Sequence, residues 1–183
     1  MKHDGGWRRR AARTLFESPW FKLRQDDVVL PSGEPITYTM IEHPGYAMVV
    51  PVLDDGRVLL EEVYRYTVQE TVLECPSGCI EDESPEAAAH RELLEETGWS
   101  AERVRPLGRF FASNGISDEC AHFFLATGLR ETQPPRREAT EQIELVWMPF
   151  DEALARVHDG RIRDAPSALA LALAERVLRA SAG

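Results

Sequence analysis

The stretch Gly78-Cys79-Ile80-Glu81-Asp82-Glu83-Ser84-Pro85-Glu86-Ala87-Ala88-Ala89-His90-Arg91-Glu92-Leu93-Leu94-Glu95-Glu96-Thr97-Gly98-Trp99 carries a loop, a helix start, a helix and a helix stop in 22 residues. Ser84 suits an N-cap, Pro85 the first helical position, and Glu86 the first turn, where an acid complements the dipole. Ala87 to Glu96 has high helix propensity and Gly98 supplies a stop, so the spacing predicts a helix over 85–97. On it Glu92 and Glu96 lie one turn apart, with Glu95 three residues from Glu92. Like charges at that spacing repel, and acids near a helix C-terminus are disfavoured by the macrodipole. A solvated acidic face is the ordinary account of a Glu-rich helix. Here, however, Pro76-Ser77-Gly78 and the acidic turn Glu81-Asp82-Glu83 precede it, and Ala87, Ala88, Leu93 and Leu94 give it an apolar side. A loop followed by a helix with carboxylates one turn apart is what a hard cation with oxygen ligands needs. Mg²⁺ suits a site that keeps waters and substrate phosphates.

The charge of the whole chain points to the same segment. The 183 residues carry 31 acidic and 21 basic side chains, a net −10. Residues 70–96 hold nine of those acids and one base, Arg91, so 27 residues account for −8 and the remainder for −2. A hydrophobic fraction of 43% at this length predicts one folded domain with a small appendage and argues against disorder. An acidic chain is a poor general binder of nucleic acid, which is held largely through Lys and Arg on phosphates. Arg8, Arg9, Arg10 and Arg13 are read as a solvated, flexible tail over 1–13 rather than a nucleic-acid arm. No apolar run approaches the ~20 residues of a membrane span and no signal-peptide segment is apparent, so the expectation is a cytoplasmic protein without a membrane partner. Cys75, Cys79 and Cys120 are odd in number and lack metal-ribbon spacing, which predicts free thiols.

Outside the acidic segment, alternation over Phe21–Leu30 and Ile36–Ile41 around Pro31-Ser32-Gly33-Glu34-Pro35 predicts a hairpin. Tyr46–Leu53 and Val58–Val63 around Asp54-Asp55-Gly56 predict a second. Further strands are expected at Val104–Ala112, His122–Thr127 and Ile143–Met148, and helices over 150–158 and 166–180. No Walker loop or nucleophile elbow is present, so P-loop transfer and covalent acyl chemistry lack their parts.

The Gly78 to Trp99 stretch resembles the Nudix hydrolase signature Gly-x5-Glu-x7-Arg-Glu-U-x-Glu-Glu-x-Gly-U, where U is bulky and apolar. Gly78, Glu83 and Arg91-Glu92-Leu93-Leu94-Glu95-Glu96-Thr97-Gly98-Trp99 occupy its positions, with four residues instead of five between Gly78 and Glu83. The resemblance runs over roughly 14–175 and points to the ADP-ribose pyrophosphatase branch. Leu73-Glu74-Cys75-Pro76-Ser77-Gly78 is similar to that branch's Glu-Leu-Pro-Ala-Gly entry, and Tyr64-Arg65-Tyr66 to its Gln-Tyr-Arg strand. Ser113-Asn114-Gly115-Ile116-Ser117-Asp118-Glu119 is similar to its Ser-Pro-Gly-x-Ser-x-Glu loop, with Asn114 in place of proline.

The resemblance implies an α/β protein: a Nudix-type α/β/α sandwich with a mixed β-sheet (44–183) plus a small N-terminal β-hairpin unit (14–43) that helps make a homodimer. It implies Mg²⁺, with Mn²⁺ as the alternative ion, held by Glu92 and Glu96, by Glu95 and by the carbonyl of Ser77. It also implies that Arg91 orients the carboxylates, and that Glu141 or Glu138 is the general base. Arg65, Glu74, Gly78 and Glu119 would face the substrate. The expected reaction is hydrolysis of the pyrophosphate bond of a small nucleoside diphosphate sugar such as ADP-ribose, giving a nucleoside monophosphate and a sugar phosphate. Alternatives are another Nudix substrate (GDP-mannose, a dinucleoside polyphosphate or an oxidised nucleoside triphosphate) and a non-catalytic nucleotide sensor.

Overall fold

Tyr46-Ala47-Met48-Val49-Val50-Pro51 is apolar almost without alternation, the pattern of a strand buried on both faces. A computed structural model of the chain, describing residues 5–137 and 142–181, places it at the centre of the larger of two compact units. The strands run β1 Arg8–Glu17, β2 Lys22–Val29, β3 Pro35–Glu42, β4 Tyr46–Pro51, β5 Arg57–Arg65, β6 Glu70–Glu74 and β7 Ser77–Cys79. Helix α1 Pro85–Thr97 follows, then β8 Trp99–Phe111, β9 Cys120–Glu131, β10 Ile143–Pro149, α2 Phe150–His158 and α3 Ala165–Ser181.

The larger unit covers Tyr46–Phe110 and Ala121–Gly183. One of its sheets has the order β7-β4-β9-β8 and is mixed, since β4 runs parallel to β9 (Val49 opposite Phe124) and antiparallel to β7 (Ala47 opposite Gly78). Successive side chains of β4 point to opposite faces. Ala47 and Val49 pack with Ala88, Ala89 and Leu93 of α1 and with Phe124. Met48 and Val50 pack on the other side with Phe123, Leu125 and the α3 residues Ala170, Leu171 and Ala174. Helices thus cover both faces, as the expected α/β/α sandwich requires. Full burial of Leu93 alone stabilises this layer by about 1.5–3 kcal/mol. A second sheet, β10-β5-β6, carries the Arg57–Glu74 strand pair and shares the α2 and α3 side of the core through Leu60, Leu73 and Met148. Helix bounds match expectation at α1 and α2, and α3 extends one residue beyond expectation at each end.

The expected hairpin of 46–53 with 58–63 does not form. Its turn is present, with Leu53 N donating to Arg57 O at 2.8 Å and a Val52–Val58 bridge. Past the bridge the strands part into different sheets, because each finds a longer partner: β4 pairs six residues with β9, and β5 seven with β10.

The smaller unit comprises the chain up to Gly45 together with Phe111–Cys120. It differs from the expected 14–43 hairpin in two respects. The segment read as a flexible tail over 1–13 is strand from Arg8 onward, pairing with β2 in the order β1-β2-β3. The arginines at 8–10 and 13 give this segment no apolar alternation, but β2 offers Asp26 and Asp27, which lie 3.7 Å from Arg9 and Arg13 respectively. Two register shifts, between Arg9 and Ala11 and between Thr14 and Phe16, break the alternation that would have marked the strand. The Ser113–Glu119 loop also belongs to this unit: Ile41 N donates to Ile116 O at 2.8 Å and His43 N to Asp118 Oδ1 at 3.0 Å. Such pairing across 75 positions cannot be read from local pattern. Cys75, Cys79 and Cys120 form no disulfide, and no helix among the described residues is long and apolar enough to cross a membrane.

Candidate active site

The site grows from the two ends of α1. Ser84 adopts an extended conformation and its Oγ accepts from Ala87 N at 3.1 Å, while Gly98 closes the helix in the left-handed region at φ 79°. Between these caps Ala88, Ala89 and Leu93 are buried against β4, which turns Glu92 and Glu96 toward β7. Cross-strand partners share a face, so Gly78, paired with Ala47, also faces α1. There the carboxylate of Glu92 occupies the space a side chain would need: a Cβ on Gly78 would stand 2.0 Å from Glu92 Oε1. Next to it Ser77 N donates to Glu96 Oε2 at 2.8 Å. Glu92 and Glu96 are both buried, at 9% and 8% exposure. Buried carboxylates persist only when their charge is met by donors, counter-charge or metal.

Arg91 is the hub of the cluster. Its Nε donates to Glu83 Oε1 at 2.9 Å, its Nη1 to Glu92 Oε1 at 2.7 Å and to Glu95 Oε2 at 3.1 Å, and its Nη2 to the carbonyl of Cys79 at 2.9 Å. Burial opposes the guanidinium charge, but the hydrogen bond to Glu83, the charge of Glu92 and the hydrogen bonds to Glu95 and Glu92 outweigh it and raise the pKa of Arg91. Glu83, Glu92 and Glu95 around one guanidinium leave two negative charges in this half-buried cluster, and Glu96 on the Ser77 amide adds a third. Arg65 and Glu74 form a bidentate pair beside it, Nε to Oε1 at 2.8 Å and Nη2 to Oε2 at 2.5 Å. That hydrogen bonding, reinforced by the negative charges of Glu74, Glu96 and Asp164, raises the pKa of Arg65 against the effect of burial.

A model of the NUDIX domain matches residues 43–169, and a model of the nucleoside diphosphate sugar hydrolase N-terminal domain matches residues 7–41. The chain belongs to the Nudix family. It is 32% identical over 163 residues to the ADP-ribose pyrophosphatase of Bacillus subtilis, covering 88% of each chain. It is 35% identical over 155 residues to the ADP-ribose pyrophosphatase of Mycobacterium tuberculosis, covering 83% of this chain and 75% of that one. A crystal structure of an ADP compounds hydrolase superposes with a TM-score of 0.83 at 22% identity over 96% of this chain and 95% of that one, which establishes a common fold.

Of the expected site residues, the structure brings Ser77, Gly78, Arg91, Glu92, Glu95 and Glu96 together, and Arg65, paired with Glu74, lies within the charge field of Glu96. The short loop between Gly78 and Glu83 does not take Glu83 out of the cluster, because Glu83 meets Arg91 through two nitrogens at 2.9 and 2.8 Å. Glu119 lies in the smaller unit, 3.6 Å from His43 Nδ1, with its own N–H on Ser117 Oγ. Glu138 and Glu141 fall outside the described residues. Family chemistry depends on divalent ions, and the donors present suit one: oxygen only, three carboxylates on one helix, and unbalanced negative charge. Among the described residues no ready-made shell of three acidic, histidine or cysteine ligands is formed. Glu92 and Glu95 are turned onto Arg91, and Glu96 onto the Ser77 amide.

Sequence reasoning missed the support beneath the loop. Asp164 Oδ2 accepts from Ser167 N at 2.8 Å and from Ser167 Oγ at 2.6 Å, and Ser167 Oγ accepts from Cys75 N at 2.9 Å. Asp164-Ala165-Pro166-Ser167 is a legible helix start, but its contact with Cys75 spans 92 positions. This fixes the backbone two residues before Ser77. Burial, with the nearby charge of Asp164, pushes the Cys75 thiol well up.

Proposed function

We propose that the protein hydrolyses the pyrophosphate bond of nucleoside diphosphate sugars, with ADP-ribose the preferred substrate, giving a nucleoside monophosphate and a sugar phosphate. The observation that carries the reading is the cradle at Gly78, where the missing side chain lets the buried Glu92 carboxylate lie beside the Ser77–Glu96 contact. Glu92 and Glu96 would hold Mg²⁺, or Mn²⁺ in its place, with Glu95 and the Ser77 carbonyl completing the set. A bound divalent ion of this kind neutralises phosphate charge and lowers the pKa of attacking water.

The chain's own residues do the positioning. Arg91 draws Glu83, Glu92 and Glu95 onto one guanidinium, which holds carboxylates that would otherwise repel within reach of a common ion. Arg65, half-exposed and aligned by Glu74, presents its open side to a substrate phosphate, and Glu74 keeps the fork oriented for that contact. Glu119 would contact the substrate. Glu141, or Glu138, would take the proton from the attacking water. The smaller unit would serve as the surface of a homodimer. Its edge strand β1 is exposed along all ten residues, and Leu15, Phe16, Trp20 and Phe21 give it an apolar patch that a second copy would cover.

The test is a panel of ADP-ribose, GDP-mannose, dinucleoside polyphosphate and nucleoside triphosphates with Mg²⁺, reading phosphate released after phosphatase coupling. A kcat/KM for ADP-ribose at least tenfold above the others is expected. Preference for GDP-mannose would reassign the sugar and base, and binding without turnover of any compound would make the chain a sensor.

A further inference from the structure

The C-terminus of α1 is closed by the segment after β9, and one side chain there has two roles. The last carbonyls of a helix lack intrahelical donors. Here Leu94 O accepts from Gly98 N at 2.9 Å, Glu95 O from Arg136 N at 2.7 Å, and Glu96 O from Arg137 Nε at 2.8 Å. Helix α1 has no basic residue in its own last turn, although Glu92, Glu95 and Glu96 crowd its negative pole. The cation comes instead from Arg137, 41 positions beyond Glu96. The same guanidinium donates through Nη1 to the carbonyl of Ile143 at 2.6 Å, the first residue of β10. From Ile143 onward β10 is locked to β5 in register, beginning with Val63. The segment is also pinned at Gly98, whose carbonyl accepts from Thr132 N at 3.0 Å and Thr132 Oγ1 at 3.2 Å.

We propose that Arg137 is a positioning residue for the reaction, a clasp that holds the main chain of Glu96 and the start of β10 on two nitrogens of one rigid fork. It rests on the reading of Glu92 and Glu96 as metal-holding groups in the hydrolysis described above. Its contribution is geometric: displacement of a reacting constellation by about 1 Å can lower a rate by ~10² without weakening binding to a similar degree. Lysine at this position keeps the charge at the helix pole but lacks the planar, two-donor fork.

The experiment compares wild type, Arg137→Lys and Arg137→Ala by ADP-ribose kinetics at saturating Mg²⁺, by thermal unfolding, and by backbone hydrogen exchange without substrate. Both variants are expected to lose at least tenfold in kcat with KM within threefold, while remaining folded at the assay temperature. Exchange should rise together in peptides covering 93–99 and 143–149 and stay unchanged over 47–51. Turnover within threefold of wild type in either folded variant overturns the proposal, as does an exchange increase confined to one side of the clasp. If Arg137→Ala fails to fold, Arg137→Lys decides. If wild type itself shows no turnover, the substrate reading fails, and the exchange result alone still decides whether Arg137 joins the two elements.

Discussion

Glu92 and Glu96 are buried against a loop that has no side chain at Gly78, and this one contact separates stability from activity. Glu96→Gln keeps an acceptor for the Ser77 amide and removes a charge one turn from Glu92, so repulsion within α1 falls. The expected outcome is a melting temperature equal to or above wild type, with Mg²⁺-dependent turnover reduced at least a hundredfold; near wild-type rates at saturating Mg²⁺ would remove Glu96 from the metal site. Gly78→Ala acts in the complementary way. The three atoms nearest the added Cβ all belong to the far end of the flexible Glu92 side chain, which can swing aside at little cost to the fold but not without leaving its place beside Arg91. A stability change below about 1 kcal/mol in urea unfolding is expected, together with at least a tenfold loss of kcat. A large loss of stability with intact specific activity would show that the close approach serves packing alone.

At the scale of the element, α1 has unequal ends. The N-cap bond from Ala87 N to Ser84 Oγ is local and exposed, so Ser84→Ala should cost about 1 kcal/mol. Gly98 combines φ 79° with a backbone wall, since a Cβ there would stand 2.2 Å from the carbonyl oxygen of Gln133. Gly98→Ala should therefore destabilise by more than Ser84→Ala, on the order of 2 kcal/mol or above, and chemical denaturation of the two variants side by side checks the order. The helix itself was legible in sequence, with Ser84, Pro85 and Gly98 at its ends, because capping is a matter of adjacent residues. The 46–63 segment was not. Its Asp54-Asp55-Gly56 turn is real, but whether two flanking strands pair with each other or with distant partners depends on the competing ladders, β4 with β9 and β5 with β10.

For the whole molecule, the apolar patch of the smaller unit makes a prediction about assembly. Phe16 and Trp20 are 55% and 64% exposed, and Phe16 lies 6.0 Å from the ring of Phe21. Light scattering after size exclusion should give twice the chain mass for wild type and a lower mass for Phe16→Ser with Trp20→Ser. A monomeric wild type at micromolar concentration would remove the dimer from the account. The sequence alone determined the acidic cassette, its helix and caps, the Nudix signature and the α/β class, since these rest on spacings within a few turns of chain or on apolar runs. The tertiary structure decided that the arginine-rich segment from Arg8 is a strand facing Asp26 and Asp27, and that Ser113–Glu119 joins β3. It likewise decided that Ser167 holds the backbone before Ser77 and that Arg137 supplies the cation missing from the end of α1. The physical reason is the same in each case. A hydrogen bond or ion pair between groups tens of residues apart leaves no periodicity in either partner's neighbourhood, and forms only where the folded backbone brings donor and acceptor within about 3 Å.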